Sequence, residues 1–149
     1  KHLRHVLPDA GLADLGRPAA ILDCGCGASY LTIAAHHYLN DVLGLPARVV
    51  GVDVNDEVVR KSVEKAAKLG ADGPAFACGK IGSVDVPADV VIALHACDTA
   101  TDDALAQAVR SGARLVLAAP CCHHHLNAQL RPAGPAEPRY VDDDEVIDT

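Results

Sequence analysis

Five short apolar runs punctuate this chain, and the stretches between them repeat their apolar residues at helical spacing. The runs cover residues 19–24 (A-A-I-L-D-C), 48–54 (R-V-V-G-V-D-V), 75–78 (A-F-A-C), 89–95 (D-V-V-I-A-L-H) and 114–119 (R-L-V-L-A-A). Most are apolar throughout instead of alternating, the mark of strands buried on both faces in a parallel sheet. Between them, residues 29–43 place Leu31, Ala34, Ala35, Leu39 and Val42 near helical spacing, and Gly44 is a natural stop. Asn55 is a predicted N-cap for a helix whose stripe is Val58, Val59, Val63, Ala66 and Ala67 and which ends at Gly70. Thr99 and Asp102 match a capping box that opens a helix over 101–110, closed by Ser111-Gly112. Residues 122–130 read as a last helix. Strand–helix alternation predicts an α/β fold, a Rossmann-like doubly wound and mainly parallel sheet with helices on both faces.

The flanks read differently. Residues 1–18 predict one or two short helices broken at Pro8 and Pro18, the end of an upstream helical segment. Residues 131–149 are rich in Pro and acids and read as a linker or tail, with the run from Asp142 to Glu145 in water. The central unit is therefore residues 19–130. No internal repeat is visible.

Composition narrows the picture. The 149 residues contain no Met, so the sequence reads as an excerpt of a longer protein. Half the residues are hydrophobic but only 3 % are aromatic, so the core must be built from Ala, Val, Leu and Ile. No run approaches the roughly 18 apolar residues of a membrane span, and no signal peptide is evident. A formal net charge of −7 argues against a self-sufficient nucleic-acid grip, which needs clustered Lys and Arg. Six cysteines lie mostly at predicted strand ends, the expectation for reduced thiols in a cytoplasmic protein. Oligomeric state leaves no trace in the sequence.

The chemistry begins at Asp23-Cys24-Gly25-Cys26-Gly27, between the first strand and the first helix. Gly25 and Gly27 permit a sharp turn and close approach of backbone to a ligand. A dinucleotide fingerprint asks for a third glycine where this chain has Tyr30, which disfavours a pyrophosphate packed on the helix start. S-adenosylmethionine has no phosphate and makes no such demand. Asp23 is placed to meet the cofactor's ammonium group, and Asp53, ending the second strand, to accept both ribose hydroxyls. Val54 beside it, the backbone from Gly79 to Ile81, and His95 complete the candidate cofactor set, with Lys80 standing where an acid often meets the adenine amino group. A helix-capping role for the two aspartates is the plainer alternative.

Two further segments, Ala93–Asp102 (A-L-H-A-C-D-T-A-T-D) and Ala119–His125 (A-P-C-C-H-H-H), leave the fourth and fifth strands at the ligand-binding edge of such a sheet. His95, Cys97, Asp98, Cys121, Cys122 and His123 are thereby expected near one pocket. Methyl transfer needs acceptor positioning, water exclusion and sometimes a general base, for which His95, His123 or Asp98 are candidates. A zinc site is the second reading, opposed by the spacing and by the difficulty of aiming adjacent Cys121 and Cys122 at one ion from a regular strand; no metal ligand is therefore assigned. Thiols that merely pack, and solvated histidines at His36, His37, His124 and His125, are the third. A nicotinamide oxidoreductase, a zinc or redox-thiol module and a non-catalytic scaffold stay open on these residues.

D-C-G-C-G-A-S-Y-L-T, L-H-A-C-D-T-A-T-D-D-A-L and P-C-C-H-H-H-L-N together resemble a bacterial group of class I S-adenosylmethionine-dependent methyltransferase domains. The H-A-C-D-T-A-T-D and P-C-C-x-H pair is also similar to the motifs of eukaryotic tRNA 2′-O-methyltransferases. The resemblance spans residues 19–130. It implies that Asp23, Gly25, Gly27 and Asp53 bind the cofactor, and that 95–98 and 120–123 lie beside the transferred methyl group. It also implies an RNA acceptor of the transfer-RNA class, gripped through regions outside this chain, and a fold whose last two strands are missing here. Ala28 stands where the bacterial group usually has Lys, and Lys80 where it usually has an acid.

Overall fold

The computed structural model describes residues 3–70, 73–122 and 124–130, with side chains of 3, 4, 124 and 125 left aside. The elements run α1 (Leu3–Asp9), β1 (Ala19–Cys24), α2 (Tyr30–His37), β2 (Ala47–Asp53), α3 (Asp56–Ala67), β3 (Ala75–Cys78), β4 (Val90–Leu94), α4 (Thr99–Ser111), β5 (Leu115–Ala119) and α5 (His124–Leu130). All five strands are parallel, in the order β3-β2-β1-β4-β5. The order reverses direction at β1, so β1 and β4 flank the switch point where open α/β sheets bind ligands. This is the Rossmann-like fold that the apolar runs predict. Residues 131–149, read above as a tail, lie outside the described residues.

The sheet has an apolar core on each face. Ile21, Val49, Val90 and Ile92 pack with Leu39, Leu7 and Leu12 on the side of α1 and α2. Leu22, Cys24, Val52, Val91 and Ala93 pack with Ala104 and Ala108 of α4 on the other. Alternate residues of each strand supply the two layers, as the pleat requires. The strands tolerate this because both faces are dry.

Several boundaries differ from the sequence reading, each for a local reason. The helix expected over 29–43 starts as α2 and finishes as a π-helical turn, Tyr38–Val42, where the Leu43 N–H reaches the Tyr38 carbonyl at 2.9 Å. Asn40 locks that turn to β2: its amide donates to the His36 and Ala47 carbonyls and its oxygen accepts the Ala47 N–H at 2.9 Å. Of the stripe expected there, Ala35 and Leu39 are buried, whereas Val42 turns to solvent and Thr32 takes a core place. In α3, capped by Asn55 as predicted, Val63 and Ala67 face water and Ser62 is fully buried. Its hydroxyl donates to the Val58 carbonyl one turn back, which removes the cost of burying it. Helix α4 begins at Thr99 with Asp98, not Thr99, as its N-cap, so the proposed capping box does not form. Among the described residues of the N-terminal flank, α1 is the one helix and keeps Pro8 in its last turn, and α5 starts at His124 instead of 122.

The switch point is braced from behind by Asp89. Its carboxylate accepts two hydrogen bonds from Arg17, at 2.7 and 2.8 Å, and the Ala20 N–H at 2.8 Å. Arg17 beside it holds the Asp89 carboxyl below its ordinary range. One side chain thus ties the entry of β1 to the entry of β4.

Candidate functional site

The glycine loop is built by β2 as much as by its own residues. The N–H groups of Gly25 and Cys26 both donate to the Val52 carbonyl, at 2.8 and 3.0 Å. The Gly27 N–H donates to Asp53 Oδ2 at 2.9 Å, and the Asn55 N–H to Asp53 Oδ1 at 2.9 Å. Gly25 and Gly27 take φ of 69° and 49°, the left-handed region where a side chain is strained. A Cβ at Gly25 would sit 3.4 Å from that of Ala96, at the exit of β4, so the loops after β1 and β4 touch. A Cβ at Gly27 would meet nothing within 4 Å: the loop is open on its outer side.

Asp23 lies deeper, at 2 % exposure, one residue before β1 ends. Thr32 Oγ1 of α2 donates to its Oδ2 at 2.6 Å. Burial pushes the Asp23 carboxyl above its ordinary value, with the Thr32 bond pulling the other way. A buried carboxylate of this kind gains from an ammonium group docked against it. Thr32 was not singled out from the sequence, although a hydroxyl in the first turn of the following helix is a natural partner for the acid. Both aspartates do work other than helix capping, since neither α2 nor α3 is capped by them.

The remaining expected cofactor residues scatter by depth. Val54 is exposed just beyond β2. Ile81 opens a 3₁₀ turn, Ile81–Ser83, and its side chain is buried in the α4-side core, which leaves its backbone for any ligand contact. Cys24 and Cys26 are buried thiols held up to about 12, chiefly by burial.

A different style of construction follows β4. His95 and Asp98 have φ of 62° and 61° without being glycine. The His95 N–H donates to the Ala119 carbonyl at 3.2 Å and the Asp98 N–H to the Cys122 carbonyl at 3.4 Å, binding this loop to the one after β5. Ala96 between them is buried and accepts a hydrogen bond from Thr101 Oγ1 through its carbonyl. His95 is exposed and Asp98 half-buried; His123, the third candidate base, lies outside the described residues. The Sγ atoms of Cys97, Cys121 and Cys122 lie within 4.8 Å of one another, with Cys97 and Cys121 at 2.7 Å and all of them free thiols. The neighbouring Cys121 and Cys122 thiols hold Cys97 below the ordinary thiol range, and its proximity raises Cys122 to about 12. Sequence reasoning placed these cysteines near one pocket but not in contact.

Among the described residues no helix is long and apolar enough to cross a membrane. No curated protein matches the sequence. Solved structures do resemble the fold. An rRNA methylase from Streptococcus thermophilus is 19 % identical, with a TM-score of 0.51 over 74 % of this chain and 65 % of that one. A magnesium protoporphyrin IX methyltransferase from Synechocystis PCC 6803 with bound SAH is 21 % identical, with a TM-score of 0.49 over 71 % of this chain and 49 % of that one. A ribosomal protein L11 methylase from Lactobacillus delbrueckii subsp. bulgaricus is 24 % identical, with a TM-score of 0.47 over 77 % of this chain and 56 % of that one. The chain thus spans about half to two thirds of the length of these proteins. At such identities the likeness concerns the fold. Family membership comes from the sequence itself, because the model of a methyltransferase-domain family matches residues 3–129, and the chain belongs to that family.

Proposed function

We propose that this chain is the S-adenosylmethionine-binding core of a methyltransferase acting on RNA. One observation carries the cofactor reading: the Asp53 carboxylate and the glycine loop are joined by the 2.9 Å bond to the Gly27 N–H. The acid that would take the ribose hydroxyls and the turn that would pass beneath the cofactor are therefore one rigid unit. Each Asp53 oxygen accepts one backbone N–H and keeps a lone pair for a ribose hydroxyl. The open outer side of Gly27 leaves room for the ligand, and Asp23 supplies a desolvated negative charge for its ammonium group. Bound there, the cofactor supplies an electrophilic methyl group on a sulfonium. Membership of a methyltransferase-domain family favours this reading over the nicotinamide alternative.

The chain's own part in the chemistry falls to the loop after β4. His95 is the first candidate to take a proton from an acceptor hydroxyl, being exposed at the edge of the sheet on a fixed, strained backbone. Asp98, three residues on, is the second, and His123 the third. The RNA acceptor is supported by the likeness of the H-A-C-D-T-A-T-D and P-C-C-H segments to tRNA 2′-O-methyltransferases, and phosphate contacts fall to regions beyond this acidic piece. The test is calorimetric titration of S-adenosylhomocysteine, followed by transfer of labelled methyl groups to transfer RNA. Micromolar binding that Asp53→Ala abolishes is the expected result. A folded protein that takes up none refutes the cofactor reading; binding without transfer to RNA refutes only the acceptor.

A further inference from the structure

The three thiols at the exits of β4 and β5 have no part in the proposed methyl transfer. Buried Cys24 and Cys26 pack the core, but Cys97, Cys121 and Cys122 are half-buried or exposed, and their sulfurs converge from two different loops. From a regular strand, adjacent Cys121 and Cys122 cannot easily both face one ion. The structure removes that objection: β5 ends at Ala119, Pro120 breaks the strand, and both cysteines lie in irregular backbone before α5. Convergence also carries a conformational cost. Cys97 sits between two non-glycine residues at positive φ, His95 and Asp98, and the Asp98 N–H is fastened to the Cys122 carbonyl. Strain held in place on both sides of a reactive side chain marks a site the surrounding fold maintains.

We propose that Cys97, Cys121 and Cys122 bind one thiophilic divalent cation of the zinc class, with the fourth position open to solvent. Zinc–thiolate bonds of about 2.3 Å in a tetrahedron place sulfurs about 3.8 Å apart. Three sulfurs already within 4.8 Å of one another reach that spacing by small side-chain rotations, the Cys97–Cys121 pair opening by about 1 Å. The site would clamp the loop after β4 to the loop after β5, fixing the segment that carries His95 and Asp98.

The experiment is a titration of the reduced full chain, free of chelator, with Co²⁺ as a spectroscopic probe, read by thiolate-to-cobalt charge-transfer absorption, alongside zinc content after desalting. One equivalent of metal is expected. Cys97→Ser, Cys121→Ser and Cys122→Ser should each weaken it at least tenfold with unchanged circular dichroism, and Cys78→Ser should leave it intact. Absence of the cobalt–thiolate band in folded protein overturns the proposal, as does an equal loss in Cys78→Ser. So does a Cys97–Cys121 disulfide found by mass spectrometry in anaerobically prepared, metal-free protein. S-adenosylhomocysteine binding on the same samples separates this outcome from failure of the methyltransferase reading.

Discussion

The two halves of the sheet's C-terminal edge are built on opposite plans. After β1 and β2 the backbone is shaped by glycines and held by carboxylates: Asp53 takes two N–H groups, and Asp23 is buried against Thr32. After β4 and β5 no glycine relieves the turns, and the loops are held by strained residues and by each other. The first half places glycine at two of its positive-φ positions, Gly25 and Gly27, with Ser29 at the start of α2 as its non-glycine exception. The second stores strain beside a histidine, an aspartate and three thiols. A fold that must hold one constant ligand and meet a variable partner can divide its edge in this way.

The sharpest way to break the comparison is at Asp53. Asp53→Ala removes two backbone anchors and the expected ribose contacts, and S-adenosylhomocysteine affinity should fall about 100-fold or more, at roughly 1.5–3 kcal/mol per bond to a charged group. An affinity within threefold of wild type by calorimetry would show that the carboxylate only shapes the loop. On the other half, His95→Ala should lower the rate of transfer to a hydroxyl acceptor by about 10²-fold or more, measured as single-turnover methylation. A rate within a factor of three would move the base role to Asp98 or His123.

Behind both halves, Asp89→Asn should destabilise the fold by about 1–3 kcal/mol, since the half-satisfied side chain stays buried; chemical denaturation measures it. Because the native carboxyl sits below its unfolded value, its contribution is whole above the unfolded value near 4 and fades as pH falls through the native one. The stability difference between the two proteins should therefore shrink in acid. Gly51→Ala should cost about 1–3 kcal/mol, because the new Cβ would come within 2.8 Å of the Phe76 ring. Phe76→Leu in the same chain should recover part of that loss, and a fully additive double variant would place the strain elsewhere. The smallest effect belongs to Thr32→Val. Without its donor the Asp23 carboxyl rises further, so binding of the cofactor's ammonium group should weaken on acidification at a higher pH than in wild type.

The same contrast explains what the sequence disclosed. The parallel α/β fold and the succession of its strands are legible because doubly buried strands leave unbroken apolar runs and glycines mark the turns. The π-helical end of α2 was not, because Asn40 sets it through a bond to β2 that no periodicity encodes. Thr99 was mistaken for a cap because a capping box is a local pattern, while Asp98 is placed by its tie to Cys122. The three thiols are legible as neighbours of one pocket but not as a contact, which depends on the ties of His95 to Ala119 and of Asp98 to Cys122 across two loops. Ser62 was overlooked because its hydroxyl is satisfied inside its own helix.

The shared Val52 carbonyl has a kinetic consequence. With the Gly25 and Cys26 amides both bonded to it, the loop is tied to the end of a central strand at two consecutive residues. Its amide protons should exchange as slowly as those of the central strands, orders of magnitude slower than a free turn of the same composition. A ligand then meets a finished surface at every encounter, so association proceeds without a loop-ordering step, and differences in affinity among ligands appear in how long each one stays.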